Sequence, residues 1–172
     1  AEPNWRPSDG CNVFTFTDDF NFGICSSTIH EIWARATSST LEDRLRYNPS
    51  TAFETFPFPS ASDSQRERVS TAASQMVRLR TEASRNQRLG LTKVYNLMDE
   101  GGFTELKAAH HELDLAVIDA YGWDKLLLGN REVLLSKLFD LNESCAKDPN
   151  YDPFGKSDNE SLFTSEQDED NE

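Results

Sequence analysis

"FTELKAAHHELDLAVIDAYGW" (residues 103–123) decides the fold class. Leu106, Ala109, Leu113, Val117 and Ala120 recur at helical spacing, and Leu115 and Ile118 widen the stripe. A stripe with this period is buried against other helices. Gly122 suits a left-handed helix end, with Trp123 free to fold back on the last turn. The same period runs upstream. Val69, Ala72, Met76, Leu79 and Ala83 predict a helix of about seven turns from Ser62, stopped by Gly90. "LTKVYNLMD" (91–99) predicts a shorter helix that uses Leu91, Val94, Tyr95 and Met98. A last helix from about Asn130 to Ser144 is expected to bury Val133, Leu134, Leu138 and Leu141.

Toward the N-terminus the pattern changes. Residues 1–10 suggest a loop, and "CNVFTFTDDFNFGIC" (11–25) alternates around Val13, Phe14, Phe16, Phe20 and Phe22. That alternation predicts one or two short strands. Ser26 or Ser27 can cap a helix to about Thr37, with Ile29, Ile32, Trp33 and Ala36 on its apolar face. Ser38 to Thr40 then suggest a second cap and a short helical turn through Leu41 and Leu45. "FETFPFP" (53–59) fits neither helix nor central strand, because each proline lacks an N–H and extends the residue before it. It sits where the period changes, so Phe53, Phe56 and Phe58 are expected to be buried under an extended connector.

The expected fold is therefore mainly α: a helical bundle preceded by a short β element and an extended Pro/Phe strap. The blocks are 1–61, a helical domain at 62–145, and a disordered acidic tail at 146–172. The chain has 172 residues and a net charge of −13, unevenly spread. From 146 to 172 nine acids face Lys147 and Lys156, whereas 57–100 holds seven basic residues against five acids. Acidity concentrated in a tail does not exclude phosphate contact elsewhere. Cys11, Cys25 and Cys145 have no CxxC spacing and suggest reduced, structural thiols in a cytoplasmic protein. No apolar run is long enough to span a bilayer, so no membrane partner is expected. The first residue is Ala1, which suggests a piece of something longer.

No catalytic centre or metal site follows from the motifs. "HHELD" (110–114) lacks the second histidine of a zinc-protease helix, and His110 with Asp114 suggests a hydrogen bond on a helix surface. Asp148, Asn150 and Asp152 begin like a calcium loop, but Pro153 and Asn159 stand where glycine and glutamate are needed. "YNPS" (47–50) lacks the second proline and aromatic of an amino-methylating loop, and no Gly-rich cofactor loop appears. His30 stands alone and suggests packing or capping. Arg35, Arg44, Arg46 and Tyr47, beside the hydroxyl-rich "TSST" (37–40), have the donors that contact phosphates or base edges. Salt bridges to Glu42, Asp43 and Glu54 are the competing reading for Arg44 and Arg46. Arg78 and Arg85 suggest a solvated face.

Two stretches together resemble a known family. "FGICSSTIHEIWARATSSTLEDRLRYNPSTAFETFPFP" (22–59) and "LGLTKVYNLMDEGGFTELKAAHHELDLAVIDAYGW" (89–123) look like the C-terminal region of MmeI-like class I DNA methyltransferases. These include the type IIG/IIL restriction–modification fusions. The resemblance implies the end of a target-recognition region over 1–61, followed by the family's helical domain. It implies a parent that methylates adenine from S-adenosyl-L-methionine, with its methyltransferase and target-recognition domains upstream. This stretch would carry no cofactor and would supply DNA and interdomain contacts. Trp33, Phe53, Phe56 and Phe58 are the expected packing residues. The competing reading is a stand-alone helical interaction subunit that docks on a methyltransferase or other defence protein through those four rings.

Overall fold

The computed structural model describes residues 12–14, 16, 18–41 and 44–151, without the side chains of 39–46. The expected loop at 1–10 and the tail from 152 onward lie outside the described residues.

The first helix, α1 (Asp19–Cys25), occupies part of the stretch expected to form strands, and residues 12–14 and 16 have no regular structure. Asp18 decides this locally: its carboxylate accepts from the Asn21 N–H at 2.8 Å, satisfying a helix-start donor. Phe20 and Ile24, one turn apart, then both enter the core. Alternating phenylalanines fit a strand, but the same residues also meet the i, i+4 rule of a helix.

At α1 the chain passes close to two long helices, α4 (Asp63–Gln87) and α6 (Thr104–Ala120). A Cβ on Gly23 would lie 2.9 Å from Val69 Cγ1 and 3.0 Å from Ala73 Cβ. Gly23→Val is therefore expected to destabilise the protein by about 1–3 kcal/mol through overpacking, measurable as a lowered urea midpoint. An unchanged midpoint would show that α1 is not held against α4.

Helix α2 (Thr28–Thr37) starts at Ser27, whose hydroxyl accepts from the His30 N–H. Asp114 of α6 caps the same end, accepting from Thr28 N–H at 2.8 Å and Thr28 Oγ1–H at 2.7 Å. The next stretch corrects the expected helical turn through Leu41 and Leu45. Ser38 leaves α2 with extended backbone, and β1 (Ser39–Leu41) pairs antiparallel with β2 (Arg44–Arg46). The register places Ser39 opposite Arg46 and Leu41 opposite Arg44. Only two residues, Glu42 and Asp43, separate the strands, the spacing of a tight hairpin. "YNPS" proves to be a helix start: Asn48 caps α3 (Pro49–Ala52), with Pro49 at its first position.

The strap is internal. Phe56 and Phe58 are buried, Phe53 is half-buried, and both prolines are covered. Side chains, not a helix or sheet ladder, satisfy part of its backbone. Pro57 O accepts from Tyr121 Oη–H at 2.9 Å, Phe58 N–H donates to Tyr151 Oη at 2.8 Å, and Thr55 O accepts from Asn142 Nδ2–H at 2.6 Å. These bonds give residues 146–151 a defined place, although they were expected within a disordered tail. Helix α7 (Arg131–Lys147) runs to Lys147, and Tyr151 anchors the strap.

Helix α4 opens with a capping box between Ser62 and Gln65 and packs Val69, Ala73 and Met76 against α6. Ala72, Leu79 and Ala83 flank that row. Arg88 ends the helix rather than Gly90; it holds the left-handed position at φ 54°, and Gly90 caps α5 (Leu91–Asp99) instead. A non-glycine residue there is strained by its Cβ. Arg88→Gly is expected to stabilise the protein by about 1 kcal/mol, raising Tm by roughly 2–4 °C; a lowered Tm would mean that the Arg88 side chain contributes more than the strain costs. Helix α6 ends as its sequence suggests. Gly122 has φ 67°, its N–H donates to Asp119 O, and Trp123 N–H donates to Ile118 O. Trp123 stacks on Tyr121 at 4.5 Å.

After a short 3-10 turn (Lys125–Gly129), α7 buries Leu134 and Leu138. Val133, expected inside, is 40% exposed, and Leu141 is half-buried. The helix contacts the core along the 134–138 row, and one residue of rotation turns Val133 outward. Core residues from both sides of position 61 form one cluster, from Phe20 through Trp33, Phe56 and Met76 to Leu138.

Candidate nucleic-acid interface

The four expected DNA-contact positions come from α2 and the hairpin that follows it. Arg35 is exposed in the last turn of α2 and bonds Glu31 Oε1 at 2.6 Å, one turn back. Exposed pairs of this kind hold a side chain weakly, at about 0.3–0.5 kcal/mol. Arg44 and Arg46 occupy β2, two residues apart, and Tyr47 follows directly. Tyr47 turns back into the protein: it is half-buried, and its hydroxyl lies 3.0 Å from His30 Nε2. Burial, with a smaller contribution from Cys25, pushes that hydroxyl up to about 12. The Tyr47–His30 bond thus pins the end of the hairpin to α2.

His30 is one of the buried polar groups of the core, 4% exposed, with Phe56 edge-on at 4.5 Å. Desolvation lowers its pKa to about 4, so the ring is neutral at physiological pH. Its Nδ1 is buried with no hydrogen-bond partner among the described residues.

Trp33 is 1% exposed, with Phe139 of α7 at 5.0 Å and Phe56 of the strap at 6.2 Å. Phe56 and Phe58 meet edge to face at 5.1 Å, and Phe53 lies 5.8 Å from Phe58. Trp33, Phe56 and Phe58 are thus occupied within the chain, which removes the surface that external docking through them requires.

His110 and Asp114 do not pair as expected. Asp114 turns to Thr28, and His110 Nε2 lies 3.1 Å from Tyr95 Oη of α5. Burial raises the Asp114 carboxyl, opposed by the two bonds from Thr28. Burial lowers His110, with Asp114 opposing and Arg80 adding to the shift. Among the described residues no three His, Cys, Asp or Glu side chains gather as metal ligands. Arg78 pairs with Glu82 at 2.7 Å, and Arg85 is exposed.

Sequence reasoning did not foresee the cleft where these groups meet. It has a volume of about 610 Å³ and lies between the start of α2, α4, α5 and α6, with His30, Tyr47, Met76, Arg80, Tyr95 and His110 on its walls. No local signal joins residues so far apart in the chain. The helical period could at most have marked Arg80 and Tyr95 as lying beside the apolar stripes.

Comparisons with known proteins bear on this geometry. Residues 2–60 match the family model described as MmeI, target recognition domain. DNA methyltransferase A of Bacillus subtilis (strain 168) is 31% identical over 99 residues, covering 58% of this chain and 11% of that protein. A solved structure of the type IIL restriction-modification enzyme MmeI in complex with DNA aligns with a TM-score of 0.59. It covers 74% of this chain and 16% of that one at 24% identity, a likeness of fold. The chain therefore spans a small part of the length of these relatives. The matched segment contains α1, α2, the hairpin and the strap, and α1, α2 and the strap share one core cluster with the helices that follow. Over residues 2–60, this chain is thus similar to the MmeI target recognition domain.

Proposed function

We propose that the chain is the non-catalytic C-terminal part of an adenine-specific DNA methyltransferase from a restriction–modification or phage-defence system. It contributes DNA and interdomain contacts, with 1–61 as the end of the target-recognition region and 62–145 as the helical domain. The observation that carries this is the match of residues 2–60 to a target recognition domain. The hairpin is the element we assign to DNA. A two-stranded ribbon fits the major groove, where its arginines can neutralise the flanking phosphates. Arg44 and Arg46 are the proposed contacts, with Arg35 released from its weak pair to join them and Tyr47 as their buttress.

The parent would use S-adenosyl-L-methionine, but the described residues do not fit that cofactor. Their only sheet is the two-stranded hairpin, with no Gly-rich strand-to-helix turn beside it. The cofactor is assigned to the upstream part of the parent, which acts on DNA in the cytoplasm. Among the described residues no helix is long and apolar enough to cross a membrane.

Fluorescence anisotropy of the full chain with duplex DNA across a salt series tests the reading. Binding is expected to weaken linearly in log–log form, and Arg44→Ala with Arg46→Ala is expected to reduce the slope by about two. No binding at low salt, or an unchanged slope, would sink the DNA assignment.

A further inference from the structure

The cleft beside the hairpin has features that the core does not require. Its volume of about 610 Å³ is that of a small-molecule site. Two hydrogen-bonded ring pairs, His30–Tyr47 and Tyr95–His110, line it with Met76 and Met98. Arg80, half-buried, also lines it. Arg35, Arg68 and Arg78 each hold an acid, whereas Arg80 has no ion pair or side-chain hydrogen bond among the described residues. Of the two acids on the walls, Glu31 is taken by Arg35, and Asp99 is exposed.

We propose that this cleft binds an unstacked nucleotide of the DNA, its base among the Tyr47, Tyr95 and Met98 side chains and its phosphate on Arg80. The proposal rests on the DNA reading above and names a ligand for a site outside the hairpin. A base offers a flat apolar face, which matches the paired rings. Its phosphate matches an uncommitted guanidinium. Tyr47, Tyr95 and His110 are half-buried and line the cleft, so their rings can present stacking surface to it. Asp99 supplies an acceptor suited to an exocyclic amine.

The test compares two labelled duplexes, one fully paired and one with a single-nucleotide bulge, titrated against the full chain. The bulged duplex is expected to bind roughly tenfold more tightly, the gain of stacking one base on aromatic side chains. Arg80→Gln and, separately, Tyr95→Leu should each abolish that preference and leave the paired duplex unaffected, with folding checked by circular dichroism. Arg44→Ala with Arg46→Ala should weaken both duplexes alike. Equal affinity of the unsubstituted chain for the two duplexes overturns the proposal but leaves the DNA reading standing. A preference that survives both substitutions does the same. Failure of either duplex to bind overturns both. A phenylalanine peptide flanked by glutamates serves as the remaining probe. If it binds in an Arg80-dependent way and the bulge gives no preference, the cleft serves a protein segment and the nucleotide proposal falls.

Discussion

Trp33→Ala is expected to cost about 3–5 kcal/mol of stability, the largest effect of any single side chain in this protein. The indole lies at the junction of α2, the strap and α7, 1% exposed, with Phe56 and Phe139 against it. Removing it leaves a cavity that three separate elements would have to close, and the proline-bound strap has little freedom to move into it. A domain of this size has a total stability of about 5–15 kcal/mol, so the variant should unfold at much lower urea. Phe139→Ala is the internal control. That ring is 47% exposed, and its loss should cost clearly less. Comparable losses for both variants would show that Trp33 is not the residue joining the segment matched by the target-recognition model to the helices. Trp33→Phe should recover much of the loss, since the indole N–H is buried without an acceptor among the described residues.

Stability should also fall in mild acid, and His30 should be the main cause. Its folded pKa is about 4, against an ordinary 6.5 when unfolded. Between these values the unfolded chain binds more protons than the folded one, so stability falls as pH drops through the window. Above pH 6.5 the contribution of a neutral His30 is fully present. By pH 4 the loss approaches about 3 kcal/mol, a magnitude not reduced by solvent because the ring is almost fully buried. His110, lowered in the same direction, adds to it. Asp114 works with the opposite sign: its raised carboxyl favours the folded state as pH falls, offsetting part of the loss at the acid end. The Cys25 thiol and Tyr47 hydroxyl near His30, both pushed up to about 12, stay protonated throughout. Urea unfolding followed by circular dichroism at pH 7.5, 5.5 and 4.5 measures the slope. His30→Gln should flatten most of it, leaving the share from His110. A variant as acid-sensitive as the parent would place the buried proton site elsewhere.

The legible parts of this fold share one property: their cause is local. The stripe at Leu106, Leu113 and Val117, the Gly122 helix end and the Ser27 cap all operate within about a turn of the chain. The sequence also indicated that the strap's phenylalanines would be internal, because Phe53–Pro59 can join neither helix nor sheet. The misreadings occurred where two local patterns competed. Phe14, Phe16, Phe20 and Phe22 alternate like a strand, yet Asp18 caps a helix through the last two. Leu41 and Leu45 are spaced for a helical turn, yet they fall in paired strands.

The sequence by itself determined the long helices, the Ser27 and Gly122 caps, the internal strap and the family resemblance, because periodicity, cap chemistry and motif order are written in consecutive residues. Only the tertiary structure decided which polar groups meet. Asp114 caps a helix start 86 residues away, and Tyr151 completes a strap 93 residues away. His30 finds Tyr47, and His110 finds Tyr95, across a cleft that no single element contains. The physical reason is that a buried donor or acceptor must be satisfied by whatever the packed helices bring beside it. That proximity is fixed by packing between distant segments, so sequence neighbourhood carries no record of it.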